Sequence, residues 1–295
     1  MSTGFTYGLL VSGDLGYTCL REVCEWVPPV FVFTDRNSRE ITNFCLEKNI
    51  PVFQGNPRQG KGFSFIAGFK VDVLLSVNYL FLIEKDMLSR PARYAINFHG
   101  SLLPKYRGRT PHVWAIINGE ETTGITAHLM TEGCDEGDIV ATELLSITQQ
   151  DTGADILKKY FSHYPLLIKK VVDKIENDAL QPVPQNENEA TYFGKRTPAD
   201  GEIIWLWDKS RIRNWIRAQA RPYPGAFTYY EGQKVTIHRC DFDNKGFHYQ
   251  DENGLILQSG HHPVVKTANG AIRLSDIESE TPIYFEKGKV FHERN

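Results

Sequence analysis

An amide and an imidazole stand two residues apart in the run Ile96-Asn97-Phe98-His99-Gly100-Ser101-Leu102-Leu103-Pro104-Lys105-Tyr106-Arg107-Gly108-Arg109. On a strand, alternate side chains share a face, so Asn97 and His99 point one way while Ile96 and Phe98 point into a core. Gly100 marks where the chain leaves the sheet, which puts a polar pair at the carboxyl edge of a parallel sheet, the place where such sheets bind ligands. Downstream, Thr131-Glu132-Gly133-Cys134-Asp135-Glu136-Gly137-Asp138 gathers acids in a glycine-flanked loop. A carboxylate returning from that loop to the histidine makes a set for general acid–base work. A satisfied structural histidine at a strand end is the competing reading.

Other spacings carry less. Gly8, Gly13 and Gly16 follow an apolar run and Asp35 lies further on, but G-x-x-x-x-G-x-x-G lacks the close first pair of glycines that lets backbone approach a pyrophosphate. Gly55 to Lys61 resembles a phosphate loop, yet Gly62 stands where a magnesium-binding hydroxyl is required. His261 and His262 are adjacent, so on a strand they face opposite ways and do not share a metal. The five cysteines, Cys19, Cys24, Cys45, Cys134 and Cys240, include no C-x-x-C and read as free thiols. No metal is expected.

The elements that must position the polar pair alternate. Short β-branched and aromatic runs at Phe5–Val11, Val30–Thr34, Pro51–Phe53, Val71–Val77 and Tyr94–Phe98 are separated by amphipathic stretches, which predicts a parallel sheet covered on both faces. Strands Thr123–Met130 and Ile139–Leu145 flank the acidic loop. Leu157, Phe161, Tyr164, Ile168, Val171 and Ile175 recur every three or four residues, predicting a long helix over Gly153–Asn177 that bends at Pro165. The polar, proline-containing stretch from Gln181 reads as a linker. After a helix near Ser210–Ala220, turn pairs at Glu231-Gly232, Asn244-Lys245-Gly246, Asn253-Gly254 and Asn269-Gly270 predict a small antiparallel barrel or sandwich. The expected division is 1–180, a linker over 181–205, and a β-rich domain over 206–295.

Size and charge agree with a globular protein of about two domains, given 295 residues at roughly 150 per domain. Lysine plus arginine number 33 against 36 acids, a formal charge of −3, which gives no support to bulk nucleic-acid binding. The most apolar stretch, Val71–Ile83, is interrupted by Asp72 and Asn78 and falls short of the ~20 residues of a membrane span. Met1–Leu10 lacks the basic start and long apolar run of a secretory signal, so the expected location is cytoplasmic.

Three spaced motifs, Asn97-x-His99-Gly100-Ser101-Leu102-Leu103-Pro104-x-Tyr106-Arg107-Gly108, Thr123-Gly124-Ile125-Thr126 and Asp135-x-Gly137, resemble the formyltransferases that use N10-formyltetrahydrofolate. The resemblance covers about residues 5–179. A further stretch, Glu189 to Pro198 followed by Arg221-Pro222-Tyr223-Pro224-Gly225-Ala226-Phe227, is similar to the nucleotide-sugar branch, notably the enzyme acting on UDP-4-amino-arabinose.

The resemblance implies an α/β protein with a Rossmann-like, mostly parallel amino-terminal domain and a smaller, barrel-like carboxyl-terminal one. It implies catalytic roles for Asn97, His99 and Asp135: Asn97 an oxyanion donor, His99 an acceptor of the amine proton or a second stabiliser of the oxyanion, and Asp135 the carboxylate that orients and electrostatically supports His99. Phe81, Leu82, Ile83, Arg109, Thr131, Glu132, Gly133 and Cys134 are implied to meet the folate, and Asn78, Tyr79, Arg107, Arg196 and Tyr223 the sugar nucleotide. Arg107 and Arg196 are candidates for the pyrophosphate, with a solvated or structural ion pair as the alternative; Tyr223 either stacks on a base or packs the turn before Pro224. The acceptor expected is a dTDP-4-amino-4,6-dideoxyhexose destined for a surface polysaccharide such as lipopolysaccharide O-antigen. A 3-amino isomer or a UDP sugar stands close behind. The alternatives are methionyl-tRNA formylation and a non-catalytic folate- or nucleotide-binding module. A homodimer is the expected assembly.

Overall fold

A computed structural model describes residues 4–293. The chain divides into two compact units. One comprises the described residues up to Gly108 together with Thr123–Leu145 and Lys158–Phe193; the other comprises Arg109–Thr122, Ser146–Leu157 and the described residues from Gly194 onward. The stretch expected as a linker over 181–205 is thus divided at Phe193/Gly194, and its first part is integral to the first unit.

The first unit begins with β1 (Tyr7–Val11), α1 (Gly13–Trp26), β2 (Phe31–Thr34), α2 (Arg39–Glu47), β3 (Val52–Gln54), α3 (Lys61–Ile66), β4 (Val73–Val77), α4 (Lys85–Leu88), β5 (Tyr94–His99) and β6 (Arg107–Gly108). Helix α5 (Pro111–Ile117) follows in the second unit, then β7 (Thr122–Leu129), β8 (Ile139–Ser146), α6 (Gly153–Glu176) and β9 (Tyr192–Phe193). Residues of β1, β2 and β4 are buried along their full length, as continuous apolar runs covered on both faces should be.

The seven-stranded sheet has the order β3-β2-β1-β4-β5-β7-β8. Pairing is parallel from β3 through β5 and antiparallel where β7 joins β5. The chain reverses its direction of winding beside β1 and β4, the point at which open sheets of this kind leave a crevice at the strand carboxyl ends. Beneath the sheet, Phe31, Phe33, Phe53, Phe65 and Phe69 pack with ring centroids 5.0–6.1 Å apart, mostly edge to face. Gly8, the first glycine of the incomplete dinucleotide pattern, belongs to this packing: a Cβ there would fall 2.2 Å from the Phe31 ring.

In the second unit, α7 (Lys209–Ala218) precedes five strands, β10 (Ala226–Tyr230), β11 (Gln233–Asp243), β12 (Ile256–Gln258), β13 (Val264–Thr267) and β14 (Gly270–Glu278). They form one antiparallel sheet in the order β10-β11-β14-β13-β12. Glu231 and Gly232 both have positive φ, 48° and 82°, which is the conformation that joins β10 to β11 by a two-residue hairpin. Ile203, Trp205, Ile212, Ile216, Val235, Ile237, Phe285 and Phe291 fill the core over which this sheet curls. No helix among the described residues is long and apolar enough to cross a membrane.

Candidate active site

Strand β5 ends at the carboxyl edge of the sheet, between parallel β4 and antiparallel β7. Its alternation holds as expected: Ile96 and Phe98 are buried in the core, and Asn97 and His99 share the other face. The register places Asn97 opposite His128 and His99 opposite Thr126 on β7.

His99 is 7% exposed, and its Nε2 lies 2.8 Å from the Tyr106 carbonyl oxygen. A carbonyl only accepts, so this contact assigns the proton to Nε2 and leaves Nδ1 as the basic nitrogen. Nδ1 faces Oδ1 of Asp135 at 3.5 Å. Burial holds the imidazole below its ordinary range, against the opposing pull of the Asp135 charge and the Tyr106 carbonyl, and the neighbouring His128 adds to the lowering. The neutral form is therefore the resting one.

Asp135 sits in the acidic loop with φ 58°, a left-handed backbone uncommon for a residue with a side chain, though aspartate is among those that adopt it most readily. Burial of its carboxylate works to raise its pKa, but the positive charge that His99 and His128 carry when protonated, together with the Gly108 amide, outweighs that and holds it well below the usual carboxylate range. The Gly108 N–H donates to Oδ2 at 2.9 Å, and the Cys134 thiol reaches the same oxygen at 3.3 Å.

His128, missed in the sequence reading, completes the group. It is buried, its Nδ1 donates to the Leu129 carbonyl at 2.8 Å, and its Nε2 consequently accepts from the Asn97 amide at 3.2 Å. The second N–H of Asn97 has Asp135 Oδ1 at 3.4 Å, a long contact that a stronger acceptor would displace. Asn97, His99 and Asp135 thus converge as expected, and two backbone groups and a second histidine fix their orientation.

Two of the segments expected around a folate meet in the structure. Lys85, just past Phe81–Ile83, reaches Glu132 of the acidic loop at 3.5 Å, so the two segments meet. Leu82 is 55% exposed, whereas Ile83 is buried in the core under the sheet and is not a free lining residue. Tyr79 packs against Phe81 with centroids 5.5 Å apart, and its buried hydroxyl has no hydrogen-bond partner among the described residues. Asn78 donates to the Ser12 carbonyl at 3.0 Å. Thr131 and Cys134 are exposed and Gly133 half-buried in the loop, while exposed Arg109 belongs to the second unit.

The residues proposed for pyrophosphate do not converge there. Arg107 is fully buried, with Nε and Nη2 on Gln185 Oε1 at 3.2 and 2.7 Å, Glu187 at 2.9 and 2.6 Å, and the Tyr192 hydroxyl at 2.5 Å. Every nitrogen is committed, so the structural ion-pair reading holds and the pyrophosphate expectation for Arg107 is corrected. Arg196 lies in the second unit with its guanidinium 5.0 Å from the Trp114 ring and 4.3 Å from that of Trp215. Its Nη2 bonds the Asp200 carbonyl at 2.7 Å and Gln219 at 2.9 Å, a packing role. The Tyr223 hydroxyl pairs with His112 Nε2 at 2.7 Å, which ties the residue into its own unit.

The Formyl transferase family matches residues 28–171, and the Formyl transferase, C-terminal domain family matches residues 195–284. The bifunctional polymyxin resistance protein ArnA of Wigglesworthia glossinidia brevipalpis is 35% identical over 234 residues, which are 76% of this chain and 36% of that protein. The chain therefore spans about a third of the length of that relative. Among solved structures, the N-formyltransferase from Helicobacter canadensis in complex with folinic acid and dTDP-3-aminofucose superposes with a TM-score of 0.74 at 18% identity, over 92% of this chain and 99% of that one. The methionyl-tRNA formyltransferase from Clostridium thermocellum gives 0.56 at 19%, over 82% and 95%. At those identities the structures speak for the fold, and the two matched domains carry the assignment: this chain belongs to the formyl transferase family.

Proposed function

We propose that the chain transfers the formyl group of N10-formyltetrahydrofolate to the amino group of a nucleotide-linked amino sugar. The observation that carries this reading is the convergence of the Asn97 amide and His99 Nδ1 on the Asp135 carboxylate at the end of β5. Formyl transfer to an amine develops negative charge on the formyl oxygen and positive charge on nitrogen. The Asn97 N–H that faces Asp135 only loosely is the donor for the oxygen. His99 Nδ1 takes the proton from nitrogen and Asp135 stabilises the imidazolium that results, with Nε2 anchored on Tyr106 throughout; as the tetrahedral adduct collapses, the formyl C–N10 bond breaks and that proton passes to N10 of the departing tetrahydrofolate. Leu82, Phe81 and the Thr131–Cys134 loop are the residues on this chain for the folate.

The acceptor we favour is a dTDP-4-amino-4,6-dideoxyhexose. A 3-amino sugar is the second reading, supported by the dTDP-3-aminofucose bound to the Helicobacter canadensis protein and by the description of WlaRD as a sugar 3N-formyl transferase, which superposes with a TM-score of 0.74 at 18% identity. The reading extends to a cytoplasmic homodimer that serves surface-polysaccharide synthesis. Incubation with N10-formyltetrahydrofolate and a panel of dTDP- and UDP-linked 3- and 4-amino sugars, followed by mass spectrometry, tests it: one member gains a formyl group. Efficient formylation of charged initiator tRNA with every amino sugar inert overturns the choice of acceptor.

A further inference from the structure

We propose that Gln185 is a positioning residue for Asp135, acting as a two-point clamp on the catalytic loop; this rests on the role given to Asp135 above. Its side-chain amide donates to the backbone carbonyls of Asp135 at 2.8 Å and Gly137 at 2.7 Å, on either side of Glu136. Its Oε1 accepts from Arg107 Nε and Nη2. Carbonyls only accept and a guanidinium only donates, so only one orientation of the carboxamide satisfies all four contacts.

Arg107 is the fixed post behind the clamp. It is fully buried and gripped by both Glu187 oxygens, and β6 pairs with β9 so that Arg107 lies opposite Tyr192. The Tyr192 hydroxyl extends the hold to the loop by donating to Glu136 at 3.0 Å. From the next residue of the same short strand, the Gly108 N–H orients the Asp135 carboxylate itself. Backbone and carboxylate are thus set from one place, and the left-handed Asp135 conformation is held by contacts from outside the loop. The polar segment around Gln185 is a strap whose chemistry reaches His99 through Asp135.

Two variants separate this from a role in stability alone. Gln185→Leu removes every polar contact at similar size; Gln185→Glu keeps an acceptor for Arg107 but sets a carboxylate against two carbonyls. Asn186→Ala is the control on the same strap, since among the described residues the Asn186 side chain bonds only Asn188 and Glu189. For both Gln185 variants kcat falls about 10²-fold while KM for donor and acceptor changes less than about threefold, as expected when the geometry of a reacting group loosens. Backbone hydrogen exchange over residues 131–138 accelerates in both and is unchanged in the control. Unaltered exchange there in Gln185→Leu, or a normal kcat in Gln185→Leu when Asp135→Asn is inactive, overturns the clamp. A fully active Asp135→Asn instead overturns the catalytic reading, and exchange still decides whether Gln185 holds the loop.

Discussion

His99 and Asp135 face each other through Nδ1 and Oδ1 at 3.5 Å, with the far side of each group already held, His99 by the Tyr106 carbonyl and Asp135 by the Gly108 amide. The pair is aligned but not yet closely bonded. A proton arriving on Nδ1 converts the contact into an ion pair between groups that need not move far.

Replacing Asp135 by asparagine keeps the size and removes the charge. The expected outcome is a fall in kcat of roughly 10² or more with little change in sugar-nucleotide affinity, because the interaction strengthens as charge develops on His99. Steady-state kinetics with a binding isotherm check it. Asp138→Asn serves as the neighbouring control and retains the wild-type rate.

The pH profile follows from the direction of the His99 shift. Its basic, neutral form is the active one, so kcat/KM rises with pH through the His99 pKa; because burial lowers that pKa, the acid limb lies below the ordinary imidazole value of about 6.5. In Asp135→Asn the charge that favours the imidazolium is gone, and the limb moves to still lower pH. A limb above the ordinary value in the wild type contradicts the assignment.

Asn97→Ala is expected to lower kcat about 10²- to 10³-fold, the usual consequence of losing an oxyanion donor. It also leaves the buried His128 Nε2 without its donor, so a stability loss of about 1 kcal/mol accompanies it, measurable by thermal unfolding. The activity loss far exceeds what the stability loss explains.

Arg107→Met tests the structural assignment of that arginine. With no nitrogen free for a ligand, the variant loses about 1–3 kcal/mol of stability through unpaired Gln185 and Tyr192 groups, while the Kd for the nucleotide stays unchanged. Denaturant unfolding and calorimetric titration separate the two. A pyrophosphate ligand would show the reverse pattern.

Much of this site was legible in the sequence because strand alternation is local. Asn97 and His99 share a face by spacing alone, and the glycine-flanked acids announce a loop that can return to them. His128 carried a signal too, two residues beyond Thr126 on an expected strand, but its meeting with Asn97 depends on the β5–β7 register, which no local pattern encodes. Tyr106 acts through its carbonyl and leaves no side-chain signature. Arg107 was left between a pyrophosphate ligand and an ion pair, and Gln185 was read as part of a linker, because the contact that pairs them spans 78 residues and no local pattern encodes it. Formyl transferase membership and the two-part fold were readable because both depend on motifs and periodicities within single elements.

The second unit is stitched from three separate lengths of chain, and α5 within residues 109–122 packs on α7 after Gly194. Recombination between relatives at a single crossover near Gly194 would therefore join an α7 from one parent to an α5 from the other. Inheritance of this unit is not modular along the gene: its helical seam constrains positions far apart in the reading frame to change together.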